Sequence, residues 1–294
     1  MQRQAVCRQL IRIALITSLV LGGLSTAAGK GNTPPPPLAE TSTQIQVFGV
    51  WHCGNHYCDW QEDIDLIAFD KANRWLLERG GSGADSTRPA VNVVVLSFVH
   101  PLKLLQQTDS GELGMIPKGM SQPVVNYFKD AGIRVMLSIG GITYTDAWDA
   151  ALAMDPKTLG THAATIAQTL GGVGVEIDYE NSSSPNIEAL GRFIAAYRQQ
   201  LPYDASGSNH AARLTIDVVA GDRWLIALNR HATQYWLRPE SPVLDYANAM
   251  VGGTSSGTPS ARRGYVPTTD CTGGMGVAAG TFNVPIPMPA LRQK

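Results

Sequence analysis

The chain has 294 residues, 44% hydrophobic and only 16% charged, which is apolar material for one large α/β domain or two small ones. With 23 basic and 24 acidic side chains its formal net charge is −1, and no basic cluster marks it as a partner of nucleic acid. The composition also excludes a collagen, a coiled coil and an intrinsically disordered chain.

Residues 1–28 read as an export signal. Arg3, Arg8 and Arg12 form a positive start, Ile13 to Leu21 an apolar stretch, and Ser25 to Ala28 a small-residue cleavage zone. The apolar stretch is shorter than the ~20 residues a membrane span requires. The expectation is a secreted or periplasmic protein with no membrane partner after cleavage. Residues 29–44, with four consecutive prolines, read as an extended linker, and 45–294 as the folded domain. Cys7 leaves with the leader. Of Cys53, Cys58 and Cys271, an oxidising compartment allows a short Cys53–Cys58 bridge across CGNHYC. The spacing of His52, Cys53, His56 and Cys58 matches no zinc pattern well, and no metal or other cofactor is expected.

From Ile45 apolar runs alternate with helix-like segments. IQVFGVW (45–51) is the first strand. QEDIDLIAFDKANRWLLERGG follows, with Ile64, Ile67, Ala68, Ala72, Trp75 and Leu76 at helical spacing. AVNVVVLSF (90–98) and GIRVMLSIGG (132–141) are further strands, separated by a helix over 121–131. A helix through 158–170 leads into GGVGVEIDYEN (171–181). SSSPNIEALGRFIAAYRQQL then reads as a helix with a Ser cap and Pro185 near its first turn. LTIDVVAG (214–221) is a fifth strand, 229–237 a helix and LDYANAM (244–250) a sixth strand. Val- and Ile-rich strands alternating with helices imply a parallel sheet buried on both faces. Without a Gly-rich phosphate loop, the series favours a (β/α)8 TIM-type barrel over a dinucleotide-binding sheet. After Met250 the pattern fades to one weak strand, GVAAGTF, so either the barrel is abbreviated at its C-terminal end or the chain is truncated relative to its relatives.

Within the fourth strand, Glu176, Asp178 and Glu180 alternate with Val175, Ile177 and Tyr179. Side chains two apart on a strand share a face, so the three acids point one way, into the barrel, and the last reaches its C-terminal rim. Buried like charges must share protons, and the raised pKa that results is what a general acid near neutral pH requires. Asp217, mid-strand in LTIDVVAG, is a candidate interior hydrogen-bond partner, and Gly140 and Gly141 allow close backbone approach. Trp75 and Trp148, in helix-like segments, are expected in the core. No GxSxG elbow supports a Ser-His-Asp hydrolase.

GVGVEIDYE resembles the DGxDxDxE signature of family 18 glycoside hydrolases, and RVMLSIGG on the preceding strand resembles that family's SxGG motif. FGVW and LSF look like its first two strands, so the resemblance covers roughly 46–250. It implies a (β/α)8 barrel and a glycosidase acting on β-1,4-linked N-acetylglucosamine polymers. It makes Glu180 the general acid and Asp178 the residue that orients the N-acetyl group, whose carbonyl attacks in place of an enzyme nucleophile, with retention. Glu176 becomes the proton-sharing partner of Asp178. The chain departs from the signature at Val173 and Glu176, where the family has Asp, and at Gly252 and Gly253, which stand where the Tyr and Asp of a Met-x-Tyr-Asp motif beginning at Met250 would be. Sugars stack on aromatic faces and take a few polar contacts, so Trp51, Tyr144, Tyr179, Trp224, Met250 and Asn248 are candidate substrate contacts. The rival expectation is a carbohydrate-binding protein on a degenerate barrel.

Overall fold

Each Val- and Ile-rich run becomes a strand in the computed structural model, which describes residues 49–54, 60–78, 89–219, 224–238, 240–250 and 277–280. The strands are β1 (Gly49–His52), β2 (Val93–Val99), β3 (Arg134–Gly140), β4 (Gly174–Asp178), β5 (Leu214–Val219), β6 (Ala247–Met250) and β7 (Val277–Gly280). The helices are α1 (Leu66–Leu77), α2 (Pro101–Gln106), α3 (Gln122–Lys129), α4 (Thr145–Met154), α5 (Pro156–Thr169), α6 (Ile187–Gln200) and α7 (Ile226–His231), the last continued by a π turn at Ala232–Trp236. The expected leader and linker lie outside the described residues.

Each strand from β1 to β6 lies beside its predecessor, and all six run parallel. A dinucleotide-binding sheet reverses its strand order midway; this one does not, which is the order of a (β/α) barrel. The sheet is also curled. Strands are about 4.8 Å apart, so β1 and β4 would stand about 14 Å apart in a flat sheet, with parallel side chains that never meet. Instead, Trp51 on β1 donates its indole N–H to Glu176 on β4 at 2.7 Å, and Asn248 on β6 reaches the same carboxylate. Among the described residues the fold is therefore an abbreviated TIM-type barrel of six parallel strands. The weak run GVAAGTF does form β7, but antiparallel to β1, in the place where a regular barrel sets its last parallel strand.

Alternation divides the apolar residues between two layers. Val94, Leu96, Leu137, Val175, Ile177, Leu214 and Ile216 face the helices and join the main core. Val93, Val95, Met136 and Tyr246, with Trp51 against them, plug the lower interior. Helix starts follow local chemistry. Asp65 caps α1 through the Ile67 and Ala68 amides, and Asp155 caps α5 with Pro156 at its first position. The cap of α6 is Asn186 rather than a serine; Ser183 and Ser184 turn their amides onto Asn181 instead. Trp148 is fully buried as expected, but Trp75 is 43% exposed. Helix α1 buries Phe69, Asn73 and Leu76, and Trp75 falls off that face, as does Ile67. Helices α2 and α4 were not anticipated as separate elements.

Candidate active site

Strand β4 sits between β3 and β5, with Ser138 and Thr215 in register with Glu176, and Gly140 with Asp178. Ser138, Thr215, Asp217 and Asn248 line the interior with the acids, because the intervening Leu137, Leu214 and Ile216 are taken by the outer core. Close approach of β3 and β4 depends on Gly140. Its φ is +123°, and a Cβ there would lie 2.0 Å from the Asp178 carbonyl oxygen. The Gly141 amide bonds that same carbonyl at 2.9 Å, which sets the short turn Ile142–Tyr144 over the end of β4.

Each acid has a different environment. Glu176 is fully buried and accepts from Trp51 Nε1 at 2.7 Å and Asn248 Nδ2 at 2.5 Å. Burial raises its pKa against the pull of these donors. Asp178 is 4% exposed, and its Oδ1 has no hydrogen-bond partner among the described residues. Burial, then the charges of Glu180 and Glu176, hold its carboxyl well above the ordinary aspartate range. Glu180 closes the row at the rim, 8% exposed. Burial pushes its pKa up to about 7, opposed by the Ile142 amide. Burial also holds Asp217 well above the usual range, followed by the charges of Glu176 and Asp178. The arrangement is a row of carboxyl groups that share few protons and end at an acid able to deliver one near neutral pH.

A clamp on the helix side steadies this row. The Tyr179 hydroxyl donates to Asp149 on α4 and accepts from the Asn186 amide at 3.0 Å, while Asn181 Nδ2 donates to Asp149 at 2.8 Å. The Tyr179 ring packs against Trp148, which bonds the Ile139 carbonyl at 3.1 Å. Tyr179 was expected among the sugar contacts. It is instead fully buried away from the interior, because a residue between Asp178 and Glu180 must alternate toward the helices.

The other expected contacts divide. Trp51 is half-buried beside Glu176, and Tyr144 stands in the rim turn with its ring 4.7 Å from His100. Asn248 is buried among the carboxylates, 2% exposed, and donates to Glu176. Trp224 and Met250 are half-buried and lean on the outer core. Cys53 is disulfide-bonded; Cys58, its expected partner, lies outside the described residues, as do Gly252 and Gly253. Among the described residues no three His, Cys, Asp or Glu side chains are arranged to hold a metal ion. Sequence reasoning missed Ser138, Thr215 and Asp149. The first two were visible in the alternation of RVMLSIGG and LTIDVV; nothing in the sequence pointed to Asp149. A small hollow lined by Arg134, Met136, His210, Arg213 and Tyr246 lies at the N-terminal ends of the strands, the opposite end from Glu180.

Fold and site together define a (β/α)-barrel protein with a buried carboxyl row ending at the C-terminal rim, the end at which barrel enzymes place their chemistry. No protein-family model and no curated protein matches the sequence. Solved structures with a similar fold include a family 18 chitinase from Pseudoalteromonas aurantia, 15% identical with a TM-score of 0.42, covering 56% of this chain and 61% of that one. A chitinase from Rhizomucor miehei is 17% identical with a TM-score of 0.40, over 70% and 56% of the two chains. Catalytic domain 2 of the Ostrinia furnacalis Group II chitinase, solved with penta-N-acetylchitooctaose, is 16% identical with a TM-score of 0.39, over 54% and 42%. The chain thus spans roughly half the length of the structures it matches. At these identities the function has to be argued from the site itself.

Proposed function

We propose that the protein is an exported retaining glycosidase that cleaves β-1,4-linked N-acetylglucosamine polymers. The observation that carries the reading is the row of Glu176 and Asp178 on one face of β4, continued two residues past its end by Glu180, a carboxyl with a pKa of about 7. Glu180 donates its proton to the glycosidic oxygen as the bond to the anomeric carbon breaks. The carbonyl of the substrate's own N-acetyl group attacks that carbon, giving an oxazolinium ring, which water then opens with Glu180 taking back the proton. Asp178, one step deeper with an oxygen left without a partner, is placed to orient the N-acetyl N–H and to offset the positive charge of the ring. Glu176 holds its place through Trp51 and Asn248, and its charge helps keep the Asp178 pKa raised. The disulfide at Cys53 supports the expectation of an oxidising, secreted or periplasmic location.

The test is incubation of the purified protein with an N-acetylglucosamine tetramer, beside Glu180→Gln. The reading expects cleavage by the native protein and a loss of at least ~10²-fold in the variant, with unchanged circular dichroism. Binding by both without cleavage by either would replace it with a carbohydrate-binding protein on the same barrel.

A further inference from the structure

Asp217 has no part in the reading above, yet it lies among the groups that do. On β5 it pairs in register with Asn248 on β6, one step beyond the Ile216–Ile177 pair, which brings it beside Asp178. Its side chain points inward with that of Thr215, since Ile216 and Val218 belong to the outer core. It is 1% exposed, and neither carboxyl oxygen closes a hydrogen bond of good geometry among the described residues. Glu176 and Asn248 are nonetheless near enough to govern its protonation. The groups facing it are Glu176 and Asp178 from β4 and Asn248 from β6, with Tyr246 also facing Glu176 at the lower end; among the described residues no cation is a leading influence on it.

An ionised Asp217 in this place would put a further negative charge beside Glu176 in a buried interior, where each unpaired ion is costly. A neutral Asp217 has one O–H to give. Glu176, which accepts from Trp51 and Asn248, has lone pairs left to take it. We propose that Asp217 is a positioning residue that keeps its proton and donates it in a hydrogen bond to Glu176. Glu176 is then fixed from three sides, by Trp51, Asn248 and Asp217, as an ionised group facing Asp178, which is left to turn toward the N-acetyl group. The proposal rests on the reading of Asp178 and Glu180 given above and deepens it; no proton leaves Asp217 during turnover.

The direct test needs no activity. An infrared difference spectrum of the native protein minus Asp217→Asn, both without substrate at neutral pH, should show the C=O stretch of a neutral carboxyl that the variant lacks. Absence of that band would overturn the proposal while leaving the glycosidase reading intact. Turnover supplies the second arm. Asn keeps an N–H donor in nearly the same shape, so Asp217→Asn should retain kcat/KM within about 3-fold, with an unshifted pH profile. Asp217→Leu, which has no donor, should lose on the order of 10²-fold. If Asn is as damaging as Leu while both variants keep the native melting profile, an ionised Asp217 is required and the proposal fails. If the native protein cleaves no chito-oligomer, the glycosidase reading fails, and the infrared arm still decides the state of Asp217.

Discussion

A carboxyl group holds its proton at neutral pH only when deprived of water and of cations, and Glu180 is held by burial to about 7. The same fact has a cost in stability. A carboxyl whose pKa is higher folded than unfolded binds more protons in the folded state between its two pKa values. Stability therefore falls as pH rises from the unfolded value near 4.5 through about 7. Glu180→Gln should accordingly raise the melting midpoint at pH 8 and leave it unchanged at pH 4; no difference at pH 8 would mean that Glu180 is solvated like an ordinary glutamate. His52 shows the opposite sign. It is enclosed by Trp60, Phe69 and Phe128, accepts the Gly54 amide at Nδ1, and donates from Nε2 to Asn73 Oδ1 at 2.8 Å. Burial lowers its pKa to about 4, so nitrogen NMR at pH 5 should find a neutral ring with its proton on Nε2; titration near the ordinary 6.5 would contradict this enclosure. The three acids were legible because strand alternation is a local rule that burial enforces. Asp149 was not, because its role exists only once α4 is folded against the end of β4.

At the scale of elements, the β3–β4 pair carries the site, and Gly140 is its tightest point. Alanine there would demand a positive φ and a Cβ 2.0 Å from the Asp178 carbonyl, so the strands would have to part. Gly140→Ala should cost about 3 kcal/mol or more and lower turnover, read from urea melts and tetramer cleavage together. A variant as stable and active as the native protein would show that the two strands need not touch. Strands were easier to anticipate than helices. The runs around β2, β3, β4 and β5 are continuous and apolar, whereas α2 spans only Pro101–Gln106 and depends on His100 as its cap. Helix α4 lies in a stretch of small residues and acids whose apolar pattern is weak until Trp148 packs beneath Tyr179. Trp75 misled because helical spacing names a stripe without saying which stripe the sheet will cover.

For the whole molecule, the barrel must close its lower end as well as present its upper one. Asp245, 1% exposed, ties β5, β6 and α6 together. It bonds Arg213, takes Arg198 at 3.0 Å and accepts the Leu214 amide at 2.7 Å. Burial pushes its carboxyl up against the pull of both guanidiniums, so these pairs offset a desolvation cost rather than add a surplus. Removing one partner is another matter. Asp245→Ala leaves two buried cations facing each other and should cost about 3–5 kcal/mol, seen as a lower denaturant midpoint with an unchanged slope. A loss within experimental error would mean that the arginines turn to solvent. The parallel order was legible from the alternation of strands and helices. The antiparallel sense of β7 was not legible, because a four-residue pairing is decided by the edge it meets rather than by its own side chains.

As proposed, the carboxyl row serves Glu180 as proton donor, and the pH dependence of kcat/KM on an N-acetylglucosamine tetramer tests that most directly. An acid that must be protonated predicts a plateau below about 7 and a fall of about tenfold per pH unit above it. A profile that stays flat or rises across that range would contradict the assignment of Glu180 as the proton donor.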